Sequence, residues 1–500
     1  MDSPHSYSEW FTALLSSSRT ARLFDCESYL SPTAPMSSSA EQGFLPYKGL
    51  RLLLRVAVLI FFRRIEVVGL ENVPEEGPTL FCANHSNSML DPVMITAFSG
   101  RIVHFAAADI LFENSILRFC LKIMGAVPIR RRQDHGGGGQ NNDDSFAALY
   151  AVLREGRSMG IFPEGLSHDD PHLAELKTGP ARIALGAASD HTQETVRIVP
   201  CGFYYTDPRR FRSLVLLQFG EPIEMTPERI AEHTQEPRAT VRAVTDDLEM
   251  SIRGLTVNAE DWDTARVIDG IRRMYQPERI RLAERMELAR RFNDRYVEVK
   301  DDPAVQLLAE RVRSYQDALY LLGLRDRDVQ RGLPTSELIW RTVSYGLLFV
   351  LYLPLAIAGA PVHAPLGIVL KLGGTRFSPR KDTIAATKLL GGFFLILILY
   401  GMVTTAALWF WSLPIAVATA VLLPISGWSF IHVVSRARTL TRLYATAVEM
   451  LLMRRQIKRL REERAALCVI IHNVVDRLIP EDLERLFPSR SEELLTKSEP

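Results

Sequence analysis

Five hundred residues exceed what one hydrophobic core organises, so several structural units are expected. Lys+Arg 59 against Asp+Glu 58 leaves a formal net charge of +1, which excludes a chain-wide basic field of the kind that binds nucleic acid. Five cysteines (Cys26, Cys82, Cys120, Cys201, Cys468) lack CxxC pairs and nearby histidines at ligand spacing, so reduced thiols in a cytosol-facing protein are read, and no metal site.

In chain order, residues 1–45 are Ser-rich and lack the basic and apolar regions of a secretory signal; disorder is expected there, with Met36 as a second candidate start. Residues 46–64 carry an apolar run interrupted by Arg55 and closed by Arg63 and Arg64, the pattern of a helix lying in a membrane interface. A core helix packed on the next domain fits almost as well.

Residues 65–225 alternate between strand and helix signals, which predicts an α/β domain, a mixed sheet flanked by helices. "TLFCA", "IVHFAA", "AVPI", "MGIF", "VRIVPCGFYY" and "SLVLLQFG" read as strands; Asp109–Met124, Ser145–Glu155 and Thr178–Ser189 read as helices. Cys82 and Cys201 fall inside apolar strands and are expected as small core residues. "GGGG" at 136–139 lacks a following Gly-Lys-Ser/Thr and is no phosphate loop. "GRSMG" at 156–160 mimics a hydrolase elbow, but Ser158 follows a helix and precedes a strand, the reverse of the order that elbow needs.

Residues 226–336 read as a helical subdomain. Residues 337–435 read as a membrane region. From Leu389 to Ser435 no Asp, Glu, Lys or Arg occurs, a run about twice the roughly 20 residues that cross a bilayer, so a helical hairpin breaking at "SLP" (412–414) is predicted. Trp409, Trp411 and Trp428 are its candidate interfacial anchors. Upstream, the uncharged stretch Val343–Leu370 contains Pro354, Gly359, Pro361 and Pro365 and is expected as one broken or re-entrant segment. Basic residues flank the hairpin on both sides, which puts both flanks in the cytosol. Residues 436–500 are expected as cytosolic helices, with an apolar stripe at Leu452, Ile457, Leu460 and Leu467.

Four stretches carry chemistry, each at a strand end. "NHSNSMLDP" (84–92) offers His85 and Asp91, as a base with an orienting carboxylate, or as a turn in which Asp91 caps the next helix with Pro92 at its first position. The offset of six positions, about 600° of helical rotation, prevents the two from sharing a helix face, so a catalytic pair demands a tight turn between them. "GAVPIRRRQD" (125–134) supplies arginines suited to a phosphate, or a solvated basic loop. "FPEGLSHDD" (162–170), with "LKTGP" after it, and the apolar "IVPCGFYY" (198–205) complete the set.

In order and context these blocks resemble the signature motifs of the phospholipid/glycerol acyltransferase superfamily. The familiar form has four residues between His and Asp; here there are five. That longer spacing, as H-x-N-x-x-x-D-P through His85, Asn87, Asp91 and Pro92, resembles the fungal-type glycerol-3-phosphate and dihydroxyacetone-phosphate acyltransferase branch. Ser167-His168-Asp169 after "FPEG", Arg131-x-Gln133-Asp134, and the stretches 255–275 and 321–329 are similar to that branch too. The resemblance implies His85 as general base and Asp91 as its orienter, Arg130 and Arg131 on the acceptor phosphate, and Lys177 assisting. It places Phe162, Pro163, Glu164, Gly165 and Ser167 in the motif that positions the glycerol hydroxyls, with the Pro-Glu-Gly backbone facing the oxyanion, and Pro200 in the acyl-chain wall. It implies no metal and no cofactor, an acyl-CoA or acyl-carrier-protein donor, glycerol 3-phosphate or dihydroxyacetone phosphate as acceptor, and a lipid bilayer as the setting. Lysophosphatidate is the alternative acceptor, and a non-catalytic lipid-binding scaffold the alternative of another class.

Overall fold

A computed structural model describes residues 45–113, 115–129, 143–189, 194–276, 280–332, 335–378 and 380–478. The Ser-rich beginning, the arginine and glycine stretch 130–142, and residues 479–500 lie outside the described residues.

The chain enters through helix α1 (Leu45–Phe61). One face buries Val58 and Phe61 in the domain core, while Leu52, Leu53, Val56, Leu59 and Ile60 on the other stay exposed. Packing on the domain and an outward apolar face thus coexist. The helix stops before Arg63, because the β-branched "RIEVV" that follows forms strand β1 (Arg64–Val68), a strand absent from the sequence reading. Strand β2 (Thr79–Ala83), helix α2 (Leu90–Phe98) and strand β3 (Val103–Ala108) come next. The expected helix 109–124 is split into a 3-10 turn (Asp109–Phe112) and helix α3 (Ser115–Ile123). Strand β4 (Val127–Ile129), helix α4 (Asp143–Arg154), strand β5 (Ser158–Ile161), helix α5 (Gly179–Ser189), and strands β6 (Arg197–Tyr205), β7 (Leu214–Phe219) and β8 (Ile223–Glu224) complete the domain.

The strands form one mixed sheet in the order β1-β7-β6-β2-β5-β3-β4, with β8 beside β6. β2 lies parallel to both β5 and β6, and β6 runs antiparallel to β7. Alternation along the strands divides the core. Phe81, Ala83, Val199, Cys201 and Phe203 face a layer made by α1 and α2. Leu80, Cys82 and Ile198 face α4 and α5. This is the period of two acting on strands buried on both faces. Pro200 is tolerated in mid-sheet because it falls between the residues of β6 that pair with β8 and those that pair with β7.

After the sheet, α6 (Pro227–Gln235), α7 (Pro237–Gly254), α8 (Trp262–Tyr275), α9 (Leu282–Val299), α10 (Pro303–Leu321) and α11 (Asp326–Arg331) follow. α7 covers the sheet, burying Val244, Leu248 and Ile252. α6 packs Ile230 against that same core, while α8 to α11 build a separate helical core.

Three helices long and apolar enough to cross a membrane come next: α12 (Thr335–Arg376), α13 (Ile384–Phe410) and α14 (Leu413–Leu452). The hairpin breaks at Trp411 and Ser412, where the sequence placed it. The first segment differs from expectation, being neither broken nor re-entrant. α12 is one helix of 42 residues, and Pro354, Pro361 and Pro365, spaced by seven and four, share one face. Each proline forfeits one backbone hydrogen bond, whereas breaking the helix in an apolar setting would strip several at once. α12 also runs close against α14, where a Cβ on Gly359 would lie 2.7 Å from Ser426 Oγ.

The C-terminal boundary also needs correction. α14 continues unbroken through Arg436, Arg438 and Arg442, and Leu452, counted in the apolar stripe, ends it 78% exposed. Helix α15 (Arg454–Leu478) carries the stripe instead as Ile457, Leu460, Leu467, Ile471 and Val475, buried against α8 to α11. Arg464 meets Asp326 at 2.8 Å and Arg311 meets Glu463 at 2.7 Å across that seam. Helix α15 is therefore part of the helical subdomain.

Candidate active site

The centre of the sheet ends in two adjacent parallel strands, β2 and β5, and their C-terminal ends carry the first and third motifs. At the end of β2 the Asn84 side chain takes over one rung of the ladder. Its Oδ1 accepts the Phe203 N–H at 2.7 Å and its Nδ2 donates to Phe203 O at 3.3 Å, so the backbone leaves the sheet without orphaning its neighbour. Ser88 then adopts φ 46°, a left-handed conformation, and the Leu90 and Asp91 N–H groups close back on Asn87 and Ser88 carbonyls.

This turn meets the demand that the sequence set. His85 Nδ1 lies 2.9 Å from Asp91 Oδ2. Asp91 is not the helix cap, however, and Pro92 is not its first residue. Met89 occupies the cap position with helical angles and no side-chain cap bond, which places Asp91 in the first turn of α2 with its carboxylate directed back over the loop. There Oδ2 also accepts the Asn87 N–H at 2.8 Å, and Oδ1 accepts the Tyr205 hydroxyl at 2.6 Å. The carboxylate is 0% exposed and fully engaged, at a helix N-terminus that favours its charge. Burial, reinforced by the Asp91 charge, pushes the Tyr205 hydroxyl well above its ordinary range, so it remains a donor.

The His85 ring stacks on Phe162, with centroids 3.9 Å apart and planes 13° from parallel, and Phe162 stacks in turn on Phe105. The ring plane is fixed by the stack and the Nδ1 proton by Asp91; Nε2 has no protein partner among the described residues. That arrangement directs Nδ1 at the carboxylate and leaves Nε2 as the ring atom that can meet a substrate.

The third motif braces this histidine from the other side. After β5, Phe162 to Gly165 form a turn with Gly165 at φ +75°, closed by Gly165 N–H to Phe162 O at 3.0 Å. The expectation that Glu164 reaches glycerol hydroxyls is not met. Its carboxylate is buried and accepts the His85 N–H at 2.6 Å through Oε1, and the Ala174 N–H at 2.9 Å and His168 Nε2 through Oε2. A buried carboxylate must find donors, and these three segments supply them. His168 N–H returns to His85 O at 3.1 Å, so both backbone groups of His85 are clamped. The hydrogen bond that His168 donates to Glu164 holds its imidazole above its usual range. Ser167 is turned inward too: its hydroxyl bonds to Asp382 and accepts Arg380 Nη2 at 2.6 Å.

Pro163 O accepts the Lys177 N–H at 2.8 Å, and the exposed Lys177 side chain passes over Gly165. Asp169 pairs with Arg209. Pro200 stands level with Cys82, below the strand ends, and its ring meets the Gly220 position beside Leu255. It is not among the side chains around His85. Arg130 and Arg131 lie outside the described residues. Tyr205, Arg380 and Asp382 escaped the sequence reading, because none has a local spacing to the first motif, and Asn84, inside that motif, was assigned no role; only the position of Tyr205 at the end of a predicted strand pointed toward the sheet's C-terminal edge.

Residues 64–204 match the acyltransferase family model, and residues 267–483 match the glycerol-3-phosphate acyltransferase 2 C-terminal domain. The chain is 27% identical over 423 residues to glycerol-3-phosphate O-acyltransferase 2 of Saccharomyces cerevisiae, covering 62% of this chain and 57% of that protein. It is 35% identical over 218 residues to an uncharacterized acyltransferase of Schizosaccharomyces pombe, covering 42% and 32% respectively. It is 32% identical over 250 residues to glycerol-3-phosphate O-acyltransferase 1 of Saccharomyces cerevisiae, covering 48% and 32%. The chain thus spans from about a third to just over half the length of these curated relatives.

Proposed function

We propose that this chain, which by its two matched domains belongs to the fungal-type glycerol-phosphate acyltransferases, transfers a fatty acyl group from a thioester donor to the sn-1 hydroxyl of glycerol 3-phosphate or dihydroxyacetone phosphate. The observation that carries this reading is the His85–Asp91 pair, 2.9 Å apart, with a buried, triply bonded carboxylate and an Nε2 that meets no partner among the described residues.

In the reaction His85 Nε2 takes the proton of the acceptor hydroxyl as its oxygen attacks the thioester carbonyl. The C–O bond forms, the C–S bond breaks, and the proton held on His85 passes to the departing thiolate. Asp91 fixes the tautomer beforehand and offsets the imidazolium charge while it exists. The acceptor is itself the nucleophile, so no acyl-enzyme is required. Glu164 serves by locking the His85 backbone in place. Arg130 and Arg131 hold the acceptor phosphate, Lys177 assists them, and Pro200 borders the acyl-chain wall. Acyl-CoA or an acyl-carrier protein is the donor; no metal or cofactor enters.

The hairpin of α13 and α14, with both helices long and apolar enough to cross a membrane, supports a membrane setting, a fitting place to release a lipid. Lys388, on the basic flank of the hairpin, donates to Arg209 O of the α/β domain, so that flank and the catalytic domain lie on one side. By the positive-inside rule that side, with the C-terminal helix, is the cytosol.

The test is full-length protein in liposomes, given radiolabelled acyl-CoA with glycerol 3-phosphate, dihydroxyacetone phosphate or lysophosphatidate separately. Transfer to either of the first two, abolished by His85→Ala, is expected. Preference for lysophosphatidate would reassign the acceptor, and absence of transfer to all three would leave a lipid-binding scaffold.

A further inference from the structure

The turn between α12 and α13 reaches out of the membrane region and docks on the third motif. Arg380 is followed by a 3-10 turn, Lys381–Thr383, and then by α13, whose first residues Ala385, Ala386 and Leu389 are buried in the sheet core with Phe81 and Leu90. Asp382 is buried; its Oδ2 takes the Ser167 hydroxyl and Arg380 Nη2, the latter at 2.8 Å. The same Nη2 donates to Ser167 Oγ at 2.6 Å. Ser167 precedes His168, whose N–H binds His85 O, so this guanidinium stands beside the catalytic loop although it comes from the membrane region.

Arg380 is only half used. Its side chain is 52% exposed, and among the described residues all its bonds run through Nη2. A purely structural arginine in the same protein behaves differently. Arg272 is 0% exposed and spends Nε, Nη1 and Nη2 on Asp269 and Gln276. An arginine whose Nη2 is pinned by a buried carboxylate and whose side chain is half exposed keeps Nε–H and Nη1–H2 as preset, charged donors for an anion.

We propose that Arg380 binds the phosphate of the acceptor, with Asp382 and Ser167 as the residues that position it. The identity of the phosphate-bearing molecule rests on the acyl-transfer reading; the anion site itself does not. The active site is then completed by the membrane region, and specificity for a phosphorylated acceptor is shared between the two parts of the chain.

The experiment uses the full chain in liposomes, as wild type, Arg380→Ala, Arg380→Lys and Asp382→Asn. Arg380→Ala is expected to raise KM for glycerol 3-phosphate about 10- to 100-fold, the range of a lost charged hydrogen-bonding group. KM for acyl-CoA should stay within about twofold of wild type. Arg380→Lys keeps the charge without the fixed planar guanidinium and should fall between. Inorganic phosphate, as a probe independent of turnover, should raise the thermal midpoint of wild type and lose that effect in Arg380→Ala. Equal KM changes for both substrates, or phosphate protection that is missing in wild type or retained in Arg380→Ala, would overturn the assignment. Wild type that binds phosphate but acylates no acceptor would instead reject the acyl-transfer reading and leave the anion site standing.

Discussion

Replacing Asp91 with Asn exchanges one carboxylate oxygen for an amide and removes a charge with almost no change in volume. Three donors converge on this side chain: His85 Nδ1–H at 2.9 Å, the Asn87 N–H at 2.8 Å and the Tyr205 hydroxyl at 2.6 Å. The amide oxygen must take the position of Oδ2, because the Asn87 N–H cannot be turned round to accept; the amide NH2 then faces Tyr205, whose hydroxyl can rotate. The His85 tautomer is therefore preserved and only the counter-charge is lost. At 2.9 Å and an effective dielectric of about 20, an imidazolium–carboxylate pair is worth about 6 kcal/mol. The neutral hydrogen bond that replaces it returns about 1 kcal/mol, so the barrier should rise by about 3–5 kcal/mol, a fall in kcat of about 10²- to 10⁴-fold. The assay is single-turnover acyl transfer in liposomes at saturating donor and acceptor, beside a thermal melt. Both KM values and the melting midpoint should stay near wild type, in contrast to Asp91→Ala, which orphans all three donors at about 1–3 kcal/mol each. An Asp91→Asn enzyme with kcat within about fivefold of wild type would refute electrostatic support of His85.

Tyr205→Phe removes one of the three donors and leaves the charge, so kcat should fall only about 5- to 20-fold with KM unchanged; a loss as deep as that of Asp91→Asn would contradict a supporting role. At Gly160 in β5, an added Cβ would stand 2.2 Å from a Phe105 ring carbon, beneath the stack that ends in His85. Gly160→Ala should therefore cost about 1–3 kcal/mol in denaturant unfolding and lower kcat as well, and an unchanged unfolding midpoint would discount the stack. His168 has a pKa raised chiefly by its hydrogen bond to Glu164. A raised value contributes stability that is complete below the unfolded pKa of about 6.5 and is lost as pH climbs through the folded one. The melting difference between wild type and His168→Gln should accordingly be larger at pH 6 than at pH 9; a difference that grew with pH would reverse the sign of the reasoning.

Much of this protein was determined by the sequence itself. Alternating strand and helix signals placed six of the strands to within a residue or two, since a period of two in buried strands is a local property. The charge-free run after Leu389 announced a hairpin of two helices long and apolar enough to cross a membrane, and its break, because length and composition are local properties of the chain. The five-residue spacing from His85 to Asp91 required a turn, and the turn is there. Tertiary structure alone decided what each face and each carboxylate would meet. Asp91 and Tyr205 are 114 residues apart, His85 and Glu164 are 79 apart, and Ser167 and Asp382 are 215 apart. No spacing rule reaches across such distances, because hydrogen-bond partners brought together by a sheet leave no periodicity in the chain. The same limit explains α12 and α15. Proline weighed alone predicts a break, and a basic amphipathic helix weighed alone predicts a free surface. Packing against α14 keeps the first continuous, and burial against α8 to α11 claims the second.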